Sequence, residues 1–172
     1  MQEAVIVSAS RTPVGRAHKG SFATFRPDDL AAISMKETLK RANYKGKVDD
    51  VIIGCAMPEA EQGMNMARQI TALAGLDSDV SAITINRYCA SGLQSIAYAA
   101  HQIMVGQSDV IIAGGAESMS LIPMGGHTFR PNPTLIENAH QYYMTMGHTA
   151  EEVANKYDVS REDQDTFAVQ SH

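Results

Sequence analysis

The chain has 172 residues, a formal net charge of −5 and 44% hydrophobic residues, enough for one domain with a sizeable core. Its 14 basic residues are scattered rather than gathered into a stripe, which argues against a nucleic-acid partner. Two cysteines, no signal peptide and no apolar run long enough to cross a bilayer leave neither a disulfide framework nor a membrane span, and place the chain in a reducing, cytoplasmic setting.

In chain order, Ala4-Val5-Ile6-Val7 is a short β-branched run with little alternation, the pattern of a strand covered on both faces. The polar loop that follows carries Arg11, Arg16, Lys19 and Arg26, and reads either as a solvated connection or as an anion-holding loop. Asp28 or Asp29 caps a helix whose Leu30, Ile33, Thr38, Leu39 and Ala42 form one face. A second strand, Asp50 to Cys55, leads through a loop punctuated by Gly63 to a helix with Met66, Ala67, Ile70, Leu73 and Ala74 inward. Glu59 and Glu61 in that loop have no third ligand beside them and read as surface charges before acid/base groups.

The stretch Ile83 to Gly106 is the centre of the chain: an apolar strand runs into Cys89 and on into a helix. A helix start leaves unpaired N–H groups and a partial positive charge, which favour a thiolate over a thiol. Leu93, Ile96, Ala97, Ala100, Ile103 and Met104 recur at helical spacing, so the helix is expected to be buried. Cys89 is then a poised nucleophile or one more core cysteine, and its position by itself leaves both readings open. Asp109 to Ser120 supplies a fourth strand ending in Gly114-Gly115; with no G-x-G-x-x-G and no P-loop lysine, the glycines read as points of close backbone approach. Leu121 to Met146 dissolves into a loop, after which Thr149-x-x-Glu152 and Ser160-x-x-Asp163 mark two helix starts. The last helix stops at His172 without a glycine cap or polar tail and looks interrupted.

Strands alternating with helices predict an α/β layer with a mainly parallel sheet and right-handed crossovers. A cysteine nucleophile needs a base, and His18, His101, His127, His140, His148 and His172 are the candidates, none of them placed convincingly by the sequence.

The residues Asn86 to Ile96, NRYCASGLQSI, resemble the signature around the acyl-accepting cysteine of thiolases, and Gly114 to Ser120, GGAESMS, resembles their next strand. Ser10-Arg11-Thr12-Pro13 with Gly15, Glu61 to Arg68 and Met146 to Glu151 extend the likeness over the whole chain. Pro58 to Gly63 and Arg26 to Leu30 are more similar to the degradative 3-ketoacyl-CoA thiolases than to the biosynthetic acetoacetyl-CoA enzymes.

The resemblance implies a thiolase-fold N-terminal half over residues 1–120, a mainly parallel mixed sheet with covering helices, and the truncated beginning of an inserted loop lobe over residues 121–172. It implies cleavage of a 3-ketoacyl-CoA by CoA to acetyl-CoA and a shortened acyl-CoA, with coenzyme A as a substrate and no metal or redox cofactor. Cys89 matches the nucleophile, with its backbone N–H in the oxyanion hole. Met146 matches a methionine of the acyl pocket, against the plain reading of a core methionine. Thiolases are dimers or tetramers, and the degradative enzymes can join a hydratase/dehydrogenase partner. Their catalytic histidine and second cysteine lie in a C-terminal half, within Gly-His-Pro and Cys-x-Gly-Gly-Gly motifs that this sequence lacks. The chain by itself is therefore expected to be inactive, with an apolar face exposed where the other half would pack. The alternatives are an acetoacetyl-CoA thiolase, a half-subunit that needs a separate C-terminal chain, and a ketoacyl synthase.

Overall fold

The computed structural model describes residues 2–172, which fall into two compact units, one ending at Thr128 and the other comprising Phe129–His172. The first unit is α/β. Three parallel strands, β1 (Asp50–Gly54), β2 (Ser81–Ile85) and β3 (Ile111–Gly115), lie in the order β2-β1-β3, with Ile52 opposite both Ile83 and Ala113. Three helices accompany them: α1 (Pro27–Arg41), α2 (Met66–Ala74) and α3 (Ser91–Met104).

The two faces of β1 divide its residues by the period of two that a strand imposes. Val51, Ile53 and, just beyond the strand, Cys55 enter one buried cluster with Ala32 and Met35 of α1 and with Met66, Ala67 and Ile70 of α2. Gly54 meets α3 instead: a Cβ placed on it would lie 2.5 Å from the carbonyl carbon of Ser91. The middle strand is thus covered on both sides, as its continuous apolar run Val51-Ile52-Ile53 requires.

Several expectations need correcting. Among the described residues Ala4 to Val7 pairs with no strand, and Ile6 is 77% exposed. The chain just after it is tied to α1, where Ser8 Oγ donates to Thr38 O at 2.9 Å and Ser10 Oγ to Ser34 O at 2.8 Å, so this segment follows a helix and the sheet has three strands. Neither Asp28 nor Asp29 caps α1. The helix begins at Pro27, whose ring already fixes a helical φ, and buried Asp28 takes a two-point ion pair from Arg26 at 3.0 and 2.8 Å. Its inward residues are Ala32 and Met35, whereas Ile33 is exposed.

The larger correction concerns α3. Its buried residues are Ser91, Ser95 and Ala99, four apart on one stripe, while Leu93 is 73% exposed and Ile96 also faces outward. Gly54 and Gly115 leave no room for a larger side chain: a Cβ on Gly115 would touch Gly54 O at 3.2 Å and the Gly92 Cα at 3.4 Å. Small residues on both partners bring helix and sheet together backbone to backbone. Ser95 Oγ, with one proton to give, lies 2.6 Å from Gly92 O and 2.8 Å from Gly114 O.

The second unit is helical. The expected loop contains a short helix, α4 (Pro133–Ala139), because Asn132 Oδ1 accepts from the N–H groups of Thr134 and Leu135. A 3-10 turn (His140–Tyr143) follows. Helix α5 (Met146–Tyr157) starts at Thr145, whose side chain accepts from His148 N–H, so Thr149 and Glu152 lie inside the helix and do not open it. Helix α6 (Arg161–Ser171) has the expected Ser160/Asp163 capping box.

Candidate functional site

In an open parallel sheet the carboxyl ends of the strands, where successive connections depart in opposite directions, form the natural crevice for chemistry. Here β1 leads to β2 on one side and β3 lies on the other, so the crevice edge comprises Cys55-Ala56-Met57, Asn86 to Ala90, and Ala116-Glu117-Ser118. The exposed thiol of Cys89 stands on this edge, two residues ahead of the first residue of α3. It precedes the helix rather than occupying its first turn, and the helix behind it is buried only along the serine and alanine stripe.

The turn that carries Cys89 is held from three sides. Ser91, buried, accepts the Arg87 N–H at 2.7 Å and donates to Tyr88 O at 2.6 Å. Asn86 spans the other side, its Oδ1 accepting from Tyr88 N–H at 2.8 Å and its Nδ2 donating to Ala56 O at 2.9 Å. The Arg87 guanidinium donates to Gln94 Oε1 one helical turn into α3. Between these ties Tyr88 has φ 47°, in the left-handed region that a bulky side chain adopts only when its surroundings impose it. A sharp strand-to-helix turn of this kind lifts the following residue, Cys89, to the surface.

Of the candidate bases in the first unit, neither His18, His101 nor His127 hydrogen-bonds Cys89 among the described residues. His18 and His127 take part through their backbone N–H groups, which donate to Ser120 Oγ at 2.9 Å and to Glu59 Oε2 at 2.7 Å. Glu59 is therefore a brace for the 121–128 loop and not a free surface charge, while Glu61 beside it is half-buried. Met146 opens α5 in the second unit and is exposed. Among the described residues no three His, Cys, Asp or Glu side chains gather as a metal site would need, and no helix is long and apolar enough to cross a membrane.

Sequence reasoning missed a polar cluster at the same edge. Gln62, with no exposed surface, donates from Nε2 to Met57 O at 2.8 Å and to Glu117 Oε1, and accepts the Ser118 N–H at Oε1. The Glu117 carboxylate also accepts the N–H groups of Ala56 at 2.7 Å and Met57 at 3.4 Å. No local signal in the sequence marked Gln62, because periodicity does not report a contact with a residue 55 positions away.

Cys55 lies under this cluster, 1% exposed, with Glu117 Oε1 3.7 Å from its sulfur. Burial first, and then the Glu117 charge, push its thiol up to about 12. A raised acid keeps its proton in the folded state after the unfolded chain has lost it, so this group's stabilisation is complete below the ordinary value of 9.0 and is lost as pH rises from there towards about 12. Urea unfolding above about pH 9 should show stability falling by up to about 1.4 kcal/mol per pH unit, a slope that Cys55→Ala abolishes. The same slope in the variant would assign the loss to other groups.

This is an α/β domain with a surface thiol on a strained turn at the carboxyl edge of a parallel sheet. The chain belongs to the thiolase family: the family described as "Thiolase, N-terminal domain" matches residues 4–172. Curated relatives named 3-ketoacyl-CoA thiolase include one from Bacillus subtilis (strain 168), 71% identical over the whole chain, and one from Marinomonas sp. (strain MWYL1), 44% identical over 99% of it. A third, from Shewanella sp. (strain MR-7), is 41% identical over the whole chain. The chain spans 44%, 44% and 45% of the lengths of these three relatives.

Proposed function

We propose that this chain forms the nucleophile-bearing part of a 3-ketoacyl-CoA thiolase, acting in the degradative direction of fatty-acid β-oxidation. The observation that carries the reading is the exposed Cys89 on the left-handed Tyr88 turn at the carboxyl edge of the sheet. A thiol that packs in a core has no reason to be lifted there.

In the proposed reaction the Cys89 thiolate attacks the 3-keto carbon, forming an S–C bond. The C2–C3 bond then breaks, its electron pair leaving with the acetyl-CoA carbon, which takes up a proton. Free CoA attacks the resulting thioester, releasing the shortened acyl-CoA and returning the thiolate, a two-step route typical of covalent catalysis. The Cys89 backbone N–H is assigned to the oxyanion of the acyl-enzyme step, which donors fixed in place stabilise without reorganising. The histidine base and the second cysteine belong, by the resemblance, to family motifs that this chain does not contain. Met146 is assigned to the acyl pocket, and residues 121–172 to the beginning of the loop lobe after an α/β part over residues 1–120. Acyl-CoA and CoA are the small-molecule partners, and the intact protein is a cytoplasmic homodimer or tetramer. The outward Leu93 and Ile96 of α3 and the exposed Val5, Ile6 and Val7 support association, since apolar side chains left in water favour being covered.

The test replaces the matching segment of the Bacillus subtilis relative with these 172 residues, the 71% identity favouring a folded hybrid. The hybrid should show CoA-dependent loss of a 3-ketoacyl-CoA, and Cys89→Ala should lower it by at least about a thousandfold, as removal of a covalent nucleophile does. Activity that survives the substitution, or a folded hybrid without thiolysis, would count against the proposal.

A further inference from the structure

Parallel pairing of β1 with β3 ends at Gly54 and Gly115, followed by one more bond from Ala116 N–H to Gly54 O at 3.1 Å. Beyond that point the two chains are joined by side chains. Glu117, leaving β3, holds the Ala56 N–H at 2.7 Å, and Gln62 ties Glu117, Met57 O and the Ser118 N–H together from underneath. Gln62 is wholly buried and every polar atom of its amide is engaged, whereas Glu117 is exposed, so the clamp closes at the rim of the crevice.

The Ala56 peptide passes this constraint on. Its N–H belongs to Glu117 and its C=O accepts Asn86 Nδ2 at 2.9 Å; the other end of the Asn86 amide holds the Tyr88 N–H at 2.8 Å. Tyr88 is the residue at φ 47°, and Cys89 follows it. A turn in a sparsely populated conformation needs surroundings that over-determine it. Ser91 restrains it from the helix side, and the Glu117–Ala56–Asn86 series restrains it from the sheet side.

We propose that Gln62 and Glu117 are positioning residues for Cys89, acting through the Ala56 peptide and Asn86 to fix the strained Tyr88 turn. The proposal rests on the reading of Cys89 as the nucleophile, and its consequence there is a thiol held in one place as the reacting carbon arrives.

A nitroxide coupled to Cys89 of this chain reads the turn directly, because Cys55 is buried and escapes labelling under native conditions. Asn86→Ala and Glu117→Ala should each shorten the rotational correlation time of the label by about twofold or more on the nanosecond scale. The double variant should be no more mobile than the more mobile single one, since the two act in series and their effects are not additive. Should Glu117→Ala fail to fold, Glu117→Gln takes its place in the cycle, keeping the shape and removing the charge. Unchanged label mobility in folded variants, or additive effects in the double variant, would overturn the proposal. The readout involves no turnover, so a hybrid enzyme lacking thiolysis would sink the proposed activity while leaving this result to stand or fall by itself.

Discussion

Gly54→Ala is expected to cost about 3 kcal/mol of stability or to prevent folding altogether, although it adds a single methyl group. The new Cβ would lie 2.5 Å from the carbonyl carbon of Ser91, and 2.7 Å from both Gly92 N and Ser91 Cβ. Two of these three neighbours are backbone atoms, which no rotamer change can move. Relief requires shifting α3 off the sheet, and that breaks the hydrogen bonds of Ser95 to Gly114 O and of Ser91 within the Cys89 turn. Gly92→Ala is the matched control. A Cβ there meets nothing within 4 Å, and alanine exceeds glycine in helix propensity by about 1 kcal/mol, so that variant should be neutral or slightly more stable. Urea unfolding followed by circular dichroism separates the two. Equal midpoints for Gly54→Ala and the unsubstituted chain would show that the helix does not pack as described.

Gln62→Glu is the second large effect, about 3 kcal/mol or more near pH 7, from a change that leaves side-chain shape nearly unaltered. The amide nitrogen it replaces faces three acceptors, Met57 O, Glu117 Oε1 and Cys55 Sγ, in a site with no exposed surface. A carboxylate there faces a carboxylate and a carbonyl, and keeps as donors the Ser118 N–H and the weakly donating Cys55 thiol. Burial and the Glu117 charge raise the pKa of the introduced carboxyl above its unfolded value, so its proton is held more tightly in the folded state. The penalty should therefore be small below the unfolded value of about 4.3 and grow as pH rises through the folded one. Stability measured by urea at acid and neutral pH tests the sign. A penalty independent of pH would mean that Gln62 matters for its packing and not for its donors.

The strands at Asp50–Gly54, Ser81–Ile85 and Ile111–Gly115 and the helices that follow the first two were legible in order, because continuous β-branched runs and a period of 3.6 are local properties. The same is true of the Ser160 capping box, where acceptor and donor are three residues apart. Thr145 and Asn132 are caps of the same kind, but nearby competitors, Thr149 with Glu152 and a run of prolines and glycines, gave stronger signals and misplaced the helix starts.

What sequence by itself determined about this protein is the α/β order of its elements, its place in the thiolase family, and the cysteine around which its chemistry is proposed. Spacing placed Met66, Ala67 and Ile70 of α2 inward, as they are, but tertiary structure alone decided which side of α3 is buried. Helical spacing of Leu93 and Ile96 marks an apolar face without saying what covers it. The glycines at 54 and 115 draw α3 in by its serine and alanine stripe and leave those larger side chains outside. Ala4 to Val7 has the composition of a strand, but strand formation needs an edge to pair with, and the hydroxyls of Ser8 and Ser10 bind α1 instead. The Gln62–Glu117 clamp was equally hidden. Its two members are separated by 55 positions, and only the meeting of β1 and β3 at one sheet edge brings their side chains together.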